Sequence, residues 1–109
     1  MWDVRYHEEA EQERNAMPAT ERVALEHATD KLATFGPHLP FPHQSRVQSV
    51  KDLRELRPRA ERSAWRVLYR RSGDVFVIAA VGPEAESGPR GFKRTVSNAL
   101  RRLQEVEID

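Results

Sequence analysis

The chain opens on strict alternation. Trp2, Val4 and Tyr6 stand apart from Asp3 and Arg5, and this period of two predicts a short first strand. His7 to Met17 is rich in Glu, Gln and Arg with few apolar positions, which predicts a short, mostly exposed helix stopped by Pro18. Thr20 can cap a second helix, with Glu21 well placed in its first turn. Leu25, Ala28, Leu32 and Phe35 then recur at helical spacing and form one apolar stripe. Gly36-Pro37 ends that helix. The two helices form a hairpin hinged at Pro18.

Residues 37–50, "PHLPFPHQSRVQSV", read as a proline-punctuated loop with Leu39 and Phe41 tucked inward. Leu53 to Arg57 predicts a second strand, stopped by Pro58. Ala64 to Arg71 and Asp74 to Val81 predict a third and a fourth, joined at Ser72-Gly73. A loop over Gly82 to Gly91 leads to a last amphipathic helix marked by Val96, Ala99, Leu100, Leu103 and Val106. The order is β-α-α-β-β-β-α. It predicts one α+β domain over residues 1–109, with a small antiparallel sheet of about four strands, an N-terminal helical hairpin and a C-terminal helix. The first strand pairs with the far side of the meander, and the helices cover one face of the sheet.

Strand parity sorts the central hairpin. With a turn at Ser72-Gly73, Arg71 faces Asp74, Tyr69 faces Phe76 and Val67 faces Ile78. Trp65, Val67, Tyr69, Phe76, Ile78 and Ala80 then share a face for the helices. Arg66, Leu68, Arg70, Val75, Val77 and Ala79 share the other. A solvent-facing sheet side accounts for two arginines above small aliphatic residues. So does a shallow basic groove, because arginine forks suit phosphate. Arg57, at the end of the second strand, and Arg90, in the last loop, can converge on the same side.

Composition narrows the setting. A chain of 109 residues suits one domain. It has no cysteine, which excludes disulfides and thiolate metal sites. No apolar run approaches a membrane span, and the N-terminus lacks a signal-peptide core, so the expectation is a cytoplasmic protein with no membrane partner. The net charge of +1 divides unevenly. Residues 1–43 carry 4 Lys/Arg against 8 Asp/Glu, and residues 44–109 carry 14 against 9. A polyanion would therefore meet the second part. His38 and His43 lack the further convergent ligands that zinc needs, His27 reads as solvated, and there is no nucleotide-binding motif. Arg101 and Arg102 read as a solvated helix face. The acidic tail of Glu105, Glu107 and Asp109 is assigned no role.

The segments "LRELRP", "AWRVLYRRSGDVFVIAAVG" and "NALRRLQE", in this element order, resemble the RelE/HigB superfamily of bacterial type II toxins, in particular its phage-derived HigB-like branch. The resemblance implies a RelE-like fold and a toxin of a toxin-antitoxin system. Such a toxin is an endoribonuclease (mRNA interferase), a hydrolase that cuts messenger RNA, usually on the ribosome, without metal or cofactor. The ribose 2′-hydroxyl attacks the adjacent phosphate while basic side chains stabilise the added charge. By motif, Arg57, Arg66 and Arg90 correspond to catalytic cations, with Lys93 a weaker match than Arg90 for the last of them. Arg54, Arg70, Lys93 and Arg94 would bind RNA. The implied partners are messenger RNA, the ribosome and a cognate antitoxin, a small helix-turn-helix protein. The sequence departs from the family where many members carry a tyrosine or another acid/base residue in the last helix, a position that corresponds here to Val96. The general base stays open among His38, His43, Glu84 and Glu86. A catalytically weak or inactive relative that binds RNA, the ribosome or an acidic protein partner is the alternative.

Overall fold

The computed structural model describes residues 1–59 and 62–108, the last two without their side chains. Asp109, at the end of the acidic tail, lies outside the described residues. Strand β1 is Asp3–Tyr6 and helix α1 is Glu8–Asn15. His7 caps α1 by accepting the Glu9 N–H on its Nδ1 at 3.1 Å. Glutamates fill the first turn of α1 and Arg14 its last, both matched to the helix dipole. Helix α2 runs over Ala19–Phe35. Pro18 takes the cap position and no side chain bonds there, so Thr20 lies inside the helix rather than capping it. Leu25, Ala28 and Leu32 are buried as the stripe predicts, but Phe35 ends the stripe in solvent. Gly36 ends α2 with a left-handed φ of 57°. A Cβ there would overlap the Trp2 indole, so the glycine lets Trp2 lie across the helix end.

Strands β2 (Gln44–Arg46), β3 (Arg54–Leu56), β4 (Trp65–Ser72) and β5 (Val75–Pro83) complete a five-stranded sheet. Its order is β1-β5-β4-β3-β2, with β1 parallel to β5 and the other pairs antiparallel. The α+β architecture and the place of the first strand are as predicted. The edge strand β2 is an addition. It falls within the expected proline loop, but after Pro42 every residue has an N–H to donate, so the chain can join the sheet edge. Leu39 is buried there, whereas Phe41 turns outward at 67% exposure and lies over the Arg57 guanidinium, 5.4 Å from ring centroid to charge.

The central hairpin turns at Gly73-Asp74, one residue later than predicted. Ser72 pairs with Val75 and Tyr69 with Ile78, and Gly73 supplies a φ of 61°. Arg71 consequently pairs with Phe76, and its guanidinium stacks 4.8 Å from the Trp2 ring instead of meeting Asp74. Between Tyr69 and Leu68 the register shifts, so that Leu68 faces Ala80 and Ala79 is inserted as a bulge. The bulge reverses parity beyond it. Val81, not Ala80, joins Val67, Tyr69, Phe76 and Ile78 beneath α1 and α2.

Ala80 joins Leu68 and Ala79 on the opposite face, under helix α3 (Pro89–Ile108). The expectation of one bare face is overturned over this region, because α3 covers it with Ala99 and Leu103. Small residues permit the approach: a Cβ on Gly82 would overlap the Thr95 hydroxyl. Among the described residues no helix is long and apolar enough to cross a membrane.

Arg102 locks this arrangement. Expected in solvent, it is only 4% exposed. The strand β1 ends at Tyr6, and the last bond it feeds to β5 is His7 N–H to the Ile78 carbonyl, at 2.8 Å. Beyond that point the Val81 N–H donates to Glu13 Oε1 at 3.0 Å, and the Ala79 carbonyl accepts from Arg102 Nη1 at 2.9 Å. Arg102 also grips Glu13 with both Nη atoms at 2.9 and 3.0 Å, and reaches Glu9 at 3.1 Å. The Glu13 hydrogen bonds hold the guanidinium above the usual arginine value. One cluster thus ties α1, the bulged edge of β5 and α3 together.

Removing Glu13 leaves a buried cation and an open N–H, whereas removing Glu9 leaves neither. Glu13→Ala is expected to cost about 2–3 kcal/mol in urea unfolding, less than a fully buried pair because Glu13 keeps some solvent contact. Glu9→Ala should cost under about 1 kcal/mol.

Candidate nucleic-acid interface

The α3-covered face stays open at one end, where β3 ends, β4 begins and β5 runs into α3. A cleft of about 980 Å³ lies there, bordered by Arg46, Arg57, Arg62 and Arg66, by Glu55, Glu84 and Glu86, and by Phe92. The Glu55-Leu56-Arg57 run explains one wall. Residues two apart share a strand face, so Glu55 and Arg57 both point into the cleft while Leu56 enters the core.

Each central arginine has a carboxylate partner. Arg57 donates from Nη2 and Nε to Glu55 Oε1, at 2.6 and 3.0 Å, and from Nη2 to Ser45 Oγ at 2.8 Å. Arg66 is 7% exposed. Its Nη1 donates to the Ser63 and Trp65 carbonyls at 2.7 and 2.9 Å, and its Nη2 to Glu84 Oε2 at 2.9 Å. Glu84 is placed by its own N–H, which bonds the Ala64 carbonyl at 2.8 Å. Both guanidinium groups are therefore fixed in direction before any ligand arrives. A planar fork held in place meets phosphate with little further loss of side-chain freedom.

The remaining candidates are dispersed. Arg70 points to the same face but toward the other end of β4, where its Nε bonds the Asp52 carbonyl at 3.2 Å. Arg54 pairs with Tyr69 in the sheet, which places it on the α2 face, and it donates to Gln44 at 2.9 Å. Arg90, Lys93 and Arg94 are exposed on the first turns of α3, beside Phe92. Of the four residues left open as a base, Glu84 and Glu86 border the cleft. His43 lines a different cavity, on the α2 side, and His38 is exposed in the Gly36–His38 turn. Val96 packs against the α3-side core. Burial pushes the Tyr69 phenol up to about 12, and it lies on the other face of the sheet. Among the described residues no group of three or more His, Asp or Glu side chains is arranged to hold a metal ion. Sequence reasoning did not single out Glu55, Arg62 or Phe92 as cleft residues. The two-residue Glu-Arg spacing on β3 was a usable signal for Glu55, whereas Arg62 and Phe92 reach the cleft through loop and helix placement that no local period encodes.

Comparison with known proteins agrees with this architecture. No curated protein sequence matches the chain at a significant level. The E. coli toxin RelE, in a mutant with two arginines replaced by alanine and in the free state, superposes with a TM-score of 0.67 at 17% identity, covering 93% of this chain and 96% of that one. The isolated E. coli RelE toxin gives 0.62 at 18% identity, covering 86% and 98%. The archaeal RelE-RelB complex from Pyrococcus horikoshii gives 0.54 at 19%, covering 75% and 93%. The model of the family described as Phage derived protein Gp49-like (DUF891) matches residues 12–82. That span takes in the second half of α1, all of α2 and the sheet from β2 to nearly the end of β5, so the chain belongs to the Gp49-like phage-derived family, and its fold is that of the RelE toxins.

Proposed function

We propose that this chain is the toxin of a type II toxin-antitoxin system and an endoribonuclease that cleaves messenger RNA, on the ribosome. The observation that carries the reading is the pair of oriented guanidinium groups, Arg57 and Arg66, in a cleft on a RelE-like fold. In this reading the scissile phosphate sits between them. Glu84 takes the proton of the 2′-hydroxyl, whose oxygen attacks the adjacent phosphorus. The bond to the 5′-oxygen breaks, that oxygen takes a proton from water, the hydroxide so formed takes up the proton held by Glu84, and a 2′,3′-cyclic phosphate remains. The two arginines offset the charge that builds on the phosphoryl oxygens, the role a metal ion would otherwise fill. Exposed Arg90, Lys93 and Arg94 hold the flanking backbone, and Arg70 extends the basic side of the sheet. Arg54, on the opposite face, has no part. A small helix-turn-helix antitoxin is the expected partner.

A second reading is favoured by a specific observation. Both central cations already have carboxylate partners, and Val96 stands where relatives place an acid/base residue. A chain that binds RNA or the ribosome without cutting is consistent with both facts.

Induced alone in bacteria, the chain is expected to arrest growth and deplete full-length message. Arg66→Ala and Arg57→Ala should each relieve arrest, while Lys93→Ala should only weaken it. Growth arrest with intact message would favour the second reading. Glu84→Gln separates the two further. It should lower cleavage about 100-fold, as loss of a general base does, yet strengthen binding of a short oligoribonucleotide several-fold and steepen its salt dependence, because Arg66 loses its counter-charge. Weaker binding by Glu84→Gln would count against this electrostatic account.

A further inference from the structure

The α2 side of the sheet holds a second cavity, which shares Arg57 with the cleft. It lies between α2, the Leu39–His43 segment and the end of β3, and measures about 300 Å³, at the small end of ligand-sized pockets. Its floor is apolar, since Ala24, Ala28, Leu39 and Leu56 are all buried. Two alanines one turn apart on α2 leave space that larger side chains would fill. Val23 stands at the mouth, 49% exposed.

The rim is cationic. Lys31, Arg57 and Arg59 line it with His27 and His43, and no described lining residue is a carboxylate. Glu21 reaches only the outer end, where it bonds Arg59 and the Ser63 hydroxyl, each at 3.0 Å. Arg57 and Arg59 hold Glu55 and Glu21, so the net positive charge at the mouth comes from Lys31, and an apolar floor beneath that ammonium favours an apolar ligand with an anionic head over a neutral one. The floor also selects against bare inorganic anions, which leave it in water. A molecule with a compact apolar body and one anionic head satisfies both parts.

We propose that this pocket binds a small organic anion of that kind, with a carboxylate, sulfonate or phosphate head at the Lys31 and Arg57 rim and its apolar body over Ala24 and Ala28. Arg57 borders both this pocket and the cleft, so an occupant engages a side chain that the RNA-cleavage reading also uses. The binding claim itself does not rest on that reading.

The test uses two dyes of nearly the same apolar body. One is 8-anilinonaphthalene-1-sulfonate, and the other is N-phenyl-1-naphthylamine, which lacks the sulfonate. Fluorescence titration of the full chain should show one saturable site for the sulfonate, with a micromolar dissociation constant and affinity about tenfold above the neutral dye. Lys31→Glu, at an exposed position that folding does not depend on, should weaken sulfonate binding about tenfold. Ala28→Leu, which fills the floor, should do the same, with circular dichroism confirming that the variant is folded. The absence of a saturable site, equal affinity for the two dyes, or binding unchanged in Lys31→Glu would each overturn the proposal. Loss of RNA cleavage by the wild type would overturn only the reading of the cleft.

Discussion

The fold depends on how one edge of β5 is closed. Strand β1 pairs with β5 only as far as Ile78, and past that point the backbone would face an apolar interior with open polar groups, each costing about 1–3 kcal/mol. Glu13 and Arg102 close it, one from α1 and one from α3. The Ala79 bulge turns the edge so that these two side chains can reach it. The consequence is positional. With α1 pinned on one side and α3 on the other, α3 runs over Ala79, Ala80 and Leu68 and leaves open the end of the sheet that carries Arg66 and Glu55.

That open end explains why the site is built from arginines held by carboxylates. A buried guanidinium without partners is costly, and a lysine in its place would offer a point charge with no planar fork. Arg66 resolves the cost with two carbonyls and Glu84, Arg57 with Glu55 and Ser45. The same contacts aim both groups into the cleft. Neutralisation and orientation come from the same bonds, so under the proposed function the cleft gives up some raw attraction for RNA in exchange for a geometry that is ready before binding. In the same proposal, the exposed cations at the start of α3 supply the long-range attraction.

Much of this was legible in particular residues. The alternation at Trp2–Tyr6, the α2 stripe as far as Leu32 and the Gly36-Pro37 stop stand where the pattern placed them. Val67 and Tyr69 do face α1 and α2, and Arg66 does stand on the opposite face, although α3 covers much of that face. The pattern failed where tertiary contacts decide. The Ala79 insertion looks like any other residue in an apolar run, yet it moves Ala80 to the opposite face. Arg102 reads as a surface residue because its partners, Glu9 and Glu13, lie some ninety positions away. Phe41 reads as core because only the folded chain brings Arg57 beneath it. Arg54 opens β3 and Arg57 directly follows its last residue, and continued strand alternation sends them to opposite faces once the pairing of β3 with β4 is known.

The central claim is that Arg57, Arg66 and Glu84 form a cleavage site that needs no metal ion. It is tested most directly by incubating the purified chain with message-programmed ribosomes in a chelator that spares ribosome-bound magnesium, and then determining the chemistry of the new RNA ends. The account predicts 2′,3′-cyclic phosphate on the upstream fragment and a 5′-hydroxyl on the downstream one, with both lost in Arg66→Ala. Intact message, or fragments bearing 5′-phosphates, would contradict it.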